Sequence, residues 1–329
     1  MQLIVPHLFP PARLLEAAAQ DLRLPAFETL LARGRLAACA ADGVEAEVCA
    51  GLGIARQQDY PIAPITLQYD SDEPGPYYWL RADPVHLRVM RDRIVLADSS
   101  ELGLAQAEAD AMVRSIGEHF GAAFSPQPLH PARWYLRLDQ APRLRTTPVS
   151  LAVGCDIDPL LPQGDDAMQF RTQLNELQML LFEHPVNQAR EARGVLPVNS
   201  LWLWGGGRLP SAQQSDVAIY SCDAEVTALA RFGGVQPAAL PDIFAADLIA
   251  SNSLIVLDQL KEAGQYGDAL GWRAAISVLE RDWFAPLLAC LHRRPATARL
   301  VDPVHGRALD LNRLDSWKIW HRPRPLSSY

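Results

Sequence analysis

The residues best equipped for chemistry lie between His184 and Pro210, HPVNQAREARGVLPVNSLWLWGGGRLP. His184, Asn187 and Arg190 stand at i, i+3 and i+6, a spacing that brings them close to one face of a helix. Arginine supplies the bidentate fork that phosphate or carboxylate recognition favours. Gly205, Gly206 and Gly207 follow, and glycine lets backbone N–H groups approach an anion closely. His184, Asn187, Arg190, Gly205, Gly206, Gly207 and Arg208, joined by Arg81, are therefore the expected wall for a small phosphorylated or carboxylate ligand. The competing reading is structural: these side chains only hold the glycine segment in place.

Other reactive side chains form smaller sets. RADPVH brings Arg81, Asp83 and His86 together, and an Arg–Asp pair at a strand end explains it as well as a binding cluster does. DPVH near the C-terminus has metal-ligand types, Asp302 and His305, at loop spacing, with Asp268 a third candidate upstream. One pair falls short of the three or four ligands a metal needs. The five cysteines, Cys39, Cys49, Cys155, Cys222 and Cys290, are scattered and form no CxxC pair, which supports neither a zinc ribbon nor a disulfide framework. GGGR lacks the Lys-Ser/Thr of a P-loop, and neither GxGxxG nor GxSxG occurs.

These residues need elements to hold them. Gly194 and Pro197 end the helix that carries His184 to Arg190, and LWLW, 201–204, is too short and aromatic for a helix and reads as a buried strand. Leu3 to Val5 read as a first strand, entering a helix near Pro11. Residues 41–68, broken by Gly, Pro and Gln, read as loop. YYWLRADPVHLRVM alternates like a strand, and 93–96 and 132–138 add two more. Asp98 with Glu101 signals the cap of a helix reaching Phe120, with Ala109, Met112 and Ile116 on one face. Asp165 to Glu183 is amphipathic, with Phe170, Leu174, Leu177 and Leu181 inward. DVAIY and SLIVLD, each followed by a helical pattern, give the alternation of a parallel sheet. A kink is expected at Pro286. The expected architecture is α/β, a mostly parallel sheet over 1–69 and 151–329 with an α+β unit inserted at 70–150.

Composition narrows the function. The 329 residues suffice for a large core, and 49% hydrophobic with 21% charged residues describes an ordinary globular chain. A net charge of −8 argues against nucleic acid, since phosphate binding wants a basic face. The basic tail (Arg313, Lys318, Arg322, Arg324) reads as a solvated end. No apolar run approaches the ~18 residues of a membrane span, and the first residues do not resemble a signal peptide, so a cytoplasmic protein with no membrane partner is expected.

The run His184–Gly207 resembles a segment of archaeal-type, cofactor-independent phosphoglycerate mutases. The resemblance is carried by His184, Asn187, Arg190, Gly194, Asn199, Trp202, Trp204, Gly205 and Gly207. YYWLRADPVHL resembles that family's arginine-bearing strand, KEAGQYGD (261–268) its metal loop, and ERD (280–282) sits in the helix that follows. NELQMLLFEHPVNQAR with NSLWLWGGG is closer still to a bacterial group of RpfE-type regulatory proteins. The resemblance implies the alkaline-phosphatase superfamily fold, doubly wound with an inserted cap, and a serine nucleophile activated by two divalent metals. This chain departs from that pattern. No Asp precedes Asp21, the first serine is Ser71, and Lys261 and Gln265 stand where the family places Asp and His ligands. An ammonium repels a metal cation by several kcal/mol at ~4 Å even at an effective dielectric of 20. Three readings follow. The first is a non-catalytic, regulatory or anion-binding relative with no cofactor and no metal. The second is an active mutase or phosphatase rebuilt on Asp302, His305, Asp268 and Cys49. The third is an interaction protein with a vestigial cleft that docks a protein partner.

Overall fold

The structure is a computed structural model and describes residues 1–71, 73–91, 93–97, 102–212, 214–250 and 252–329. The chain divides into two compact units, Met1–Gly53 with Gln213–Tyr329, and Ile54–Ala212. Among the described residues no helix is long and apolar enough to cross a membrane.

The first unit is built on a six-stranded sheet. Its strands are β1 (Gln2–Ile4), β2 (Arg35–Ala38), β8 (Ala218–Tyr220), β9 (Ser253–Val256), β10 (Thr297–Asp302) and β11 (Arg307–Asn312). Their order is β2-β11-β10-β1-β9-β8, and the run β10-β1-β9-β8 is parallel, with β11 and β2 antiparallel at one edge. This is the mostly parallel α/β sheet that the strand–helix alternation predicts. Register lines up Ile255, Leu3, Leu300 and Leu309 across four strands. That row is buried with Phe27, Trp272, Ile276 and Trp283 from the helices covering one face. Side chains alternate across a strand, so Leu254 points the other way and packs against Gly51 of the helix Val44–Gly51. Helices therefore cover both faces, as a doubly wound sheet requires. The expected kink at Pro286 is a one-turn π-helix, Glu280–Phe284, just before it.

The second unit is antiparallel. Its strands are β3 (Tyr78–Val89), β4 (Ile94–Ala97), β5 (Pro126–His130), β6 (Arg133–Leu138) and β7 (Ser200–Gly207). β3 pairs β4, β6 and β7, and β5 pairs β6. Leu80, Ala82, Leu136, Leu201 and Leu203 point to one side, under the helices Gln106–Phe120 and Ala167–Phe182. The unit is wider than the expected 70–150. The reason is β7: its eight residues are all buried and find their hydrogen-bond partner in β3, not in the parallel sheet. The stretch 41–68, expected as loop, instead carries the helix Val44–Gly51 and most of the helix Ile62–Ser71, which packs Ala63 and Leu67 on Trp79 and Tyr135 of the same sheet. The expected Asp98–Glu101 cap lies outside the described residues; the helix after it starts at Gln106, where Glu108 accepts from the Ala105 N–H.

Candidate functional site

In open α/β sheets ligands gather beyond the carboxyl ends of parallel strands. Here β1 leads to His7, β8 to Asp223, β9 to Lys261, and β10 ends on Asp302, three residues before His305. Asp302 is fully buried and heavily used. Its Oδ1 accepts the backbone N–H groups of His7, Val304 and His305, and its Oδ2 accepts that of Phe9 and Nδ1 of His305. Burial works against its charge, but the bonds from His305 and the backbone outweigh that and hold its carboxyl below the ordinary value.

His7 is shaped by the same carboxylate. Its backbone is left-handed, φ 61°, a strained state for a residue with a Cβ. Two bonds fix it there: its N–H to Asp302, and its carbonyl accepting from Trp272 Nε1 at 2.9 Å. The ring is 6% exposed, and neither nitrogen has a hydrogen-bond partner. It lies over Gly264, where a Cβ would come within 2.3 Å of its Cγ, and meets His305 edge-on at 5.2 Å. Burial first, then the nearby His305 and Lys261, push its pKa down to about 4, so the ring is neutral.

Lys261 opens the short helix Lys261–Tyr266 and is half-buried. Its charge acts on His7 and on Asp223, whose pKa burial and Glu225 raise and Lys261 lowers. The KEAGQYGD stretch thus places an ammonium beside the strand ends. Asp268, a weak metal candidate from sequence, instead caps the helix Ala269–Leu279 by accepting the Leu270 and Gly271 N–H groups. Asp302 and His305 do meet, at 3.0 Å, but the acid's lone pairs already face five donors. Cys49 is fully buried in a helix, and burial with Glu45 nearby pushes its thiol well up. Among the described residues no three His, Cys, Asp or Glu side chains converge to hold a metal ion. The donor set does not fit a metal pair. Residue spacing points to neither His7 nor Asp223, because each is brought in by a different strand.

The residues singled out by spacing lie in the second unit. His184 is the N-cap of the helix Pro185–Ala192 and touches Ser115 through Nε2 at 3.1 Å. Asn187 donates to the Leu181 and Val198 carbonyls, both at 2.7 Å, and accepts the Val198 N–H. Arg190 donates to the Leu196 and Leu102 carbonyls and to Glu108, which also takes Arg193. The three share one helix face as expected; Asn187 and Arg190 bond to the 194–199 turn, while His184 reaches Ser115 instead. Arg81 sits in the first third of β3, 1% exposed, forked onto Asp83 with both contacts at 2.9 Å. Its guanidinium lies 5.1 Å from the Trp204 ring centroid and 5.5 Å from that of Tyr135.

Gly205, Gly206 and Gly207 are the end of β7 rather than a loop beyond it. A Cβ there would meet Ile62 at 2.9 Å, Tyr78 at 2.5 Å and Pro61 at 2.6 Å. Their smallness therefore admits the neighbouring helix and strand. Arg208 is exposed and donates to the Pro76 carbonyl.

No family model matches this chain. It is 43% identical over 65 residues to the 2,3-bisphosphoglycerate-independent phosphoglycerate mutase of Methanothrix thermoacetophila, a match covering 20% of this chain and 17% of that one. It is 28% identical over 134 residues to the probable enzyme of the same name from Geobacter sulfurreducens, 40% of this chain and 33% of that one. The match thus spans a third or less of these relatives' length. A solved cofactor-independent phosphoglycerate mutase from Thermoplasma acidophilum superposes with a TM-score of 0.48 at 17% identity, covering 99% of this chain and 93% of that one. Over the matched stretches the chain is similar to 2,3-bisphosphoglycerate-independent phosphoglycerate mutases.

Proposed function

We propose that this chain is a phosphoglycerate-mutase-like protein without mutase chemistry, which uses the strand-end cluster to bind a small phosphorylated or carboxylate anion in a regulatory role. The observation that carries the reading is Lys261, whose charge acts on both neutral His7 and Asp223 and which stands where sequence resemblance expects a metal ligand. A fixed ammonium supplies positive charge to an anion without a metal, and it repels any cation placed beside it. The saturated Asp302 supports the same reading, since it has no lone pair left to give. The RpfE-type resemblance accords with a regulatory role.

A second reading, a rebuilt enzyme, has one observation in its favour. Asp302 orients His305 through Nδ1, which leaves Nε2 able to act as a general base. The nucleophile that reading would use, Cys49, is buried and protonated.

The experiment is a titration of the purified protein with phosphoglycerate and with inorganic phosphate, with and without chelator, alongside Lys261→Met. Saturable, chelator-insensitive binding that weakens about tenfold or more in Lys261→Met is expected, the loss for one charged hydrogen bond. Mutase turnover that chelators abolish would overturn the proposal.

A further inference from the structure

The second unit holds a cavity of about 510 Å³, within the size range of small-molecule pockets, between the helix Ala167–Phe182 and the sheet. The helix lines it with Arg171, Asn175, Gln178 and Phe182, at i, i+4, i+7 and i+11 along one stripe. At the rise of an α-helix that stripe runs roughly 16 Å, with a guanidinium at one end and an exposed phenyl ring at the other. The facing wall is mostly aliphatic, with Leu87, Ile94, Leu201 and Leu203 interrupted by Asn199 and Ser200.

Arg171 is the charge that needs explaining. Its Nε and Nη2 donate to the Pro162 carbonyl at 3.1 and 3.0 Å, and among the described residues no carboxylate pairs with it. A half-buried guanidinium beside an aliphatic wall favours an anionic partner, because water solvates it poorly there. Asp158, exposed, lines the same cavity, and its repulsion grows with ligand charge, so it disfavours a phosphate dianion more than a monoanion.

We propose that this pocket binds an elongated monocarboxylate, its head on Arg171 and its aliphatic body along the Leu87–Leu203 wall. The site lies wholly in the second unit and stands independently of the strand-end cluster.

The test is calorimetric titration of the full chain with decanoate below its micellar range, with decanol, and with acetate. Decanoate should bind saturably, decanol about tenfold more weakly, and acetate not measurably, since the head supplies one charged hydrogen bond and the body most of the buried area. Arg171→Gln should cost decanoate about tenfold and leave decanol unchanged, while Arg171→Lys keeps most of the affinity. Because Arg171 also holds the Pro162 carbonyl, Gln178→Trp serves as a second variant that fills the cavity from the helix and should abolish both. Lys261→Met should bind decanoate as the unaltered chain does. Equal binding of decanol and decanoate, or decanoate binding undiminished in Gln178→Trp, marks adventitious adsorption and overturns the proposal.

Discussion

His7 shows how one side chain ties stability to pH. It is neutral in the folded chain with a pKa near 4, whereas an unfolded histidine titrates near 6.5. Between those values the unfolded chain binds more protons, so stability falls as pH drops through that window and is unaffected by this group above it. The most it can contribute is roughly 3 kcal/mol, at 1.36 kcal/mol per pKa unit. His7→Asn, which tolerates the left-handed backbone, should flatten the pH dependence of urea midpoints between about pH 6.5 and 4. An unchanged slope would show that the ring is hydrated. Asp302, held below its ordinary value, adds stability that is lost only at lower pH, as the acid protonates through its folded pKa. Asp83 carries a heavier obligation. It accepts Arg81 twice, Trp204 Nε1 at 2.7 Å and the Trp134 N–H, all out of water. Asp83→Asn strands a buried guanidinium and should cost about 3–5 kcal/mol by chemical denaturation. A loss below about 1 kcal/mol would mean Arg81 is hydrated.

Among the elements, β7 and the helix before it behave as one clamp. Asn187 closes the 181–198 segment through three bonds, and β7 then enters the sheet with every residue buried. Gly205 combines φ 65° with a Cβ position 2.9 Å from Ile62 Cβ, whereas Gly267 has φ 69° and nothing within 4 Å. Gly267→Ala should therefore cost only left-handed strain, about 1–2 kcal/mol. Gly205→Ala should cost about 1–3 kcal/mol more, the penalty for overpacking. Thermal melts of the two variants check this, and equal losses would show that Ile62 moves aside freely.

For the whole molecule, the division into units has a consequence for folding. Residues 54–212 are one continuous segment with their own sheet and core, while the first unit is assembled from two segments. A fragment spanning 54–212 should fold and melt cooperatively, as domains with a separate core do. Amide exchange across β3 and β7 would measure it; a fragment without protected amides there would show that its core depends on the rest of the chain.

Local patterns in the sequence determined a good deal. Alternation and helical periodicity set the parallel sheet of the first unit, the inward faces of Gln106–Phe120 and Ala167–Phe182, and the shared face of His184, Asn187 and Arg190. These follow from side-chain period alone, which is a property of neighbours along the chain. The tertiary structure decided what spacing cannot express. LWLW reads equally well as a parallel or an antiparallel buried strand, and only its hydrogen-bond partner, β3, assigned it to the second unit. The three glycines gained their meaning from Ile62, Tyr78 and Pro61, which approach them through the fold. His7, Asp223, Lys261 and Asp302 are distant in sequence, and they meet because β1, β8, β9 and β10 run parallel and so deliver their carboxyl ends to one edge of the sheet.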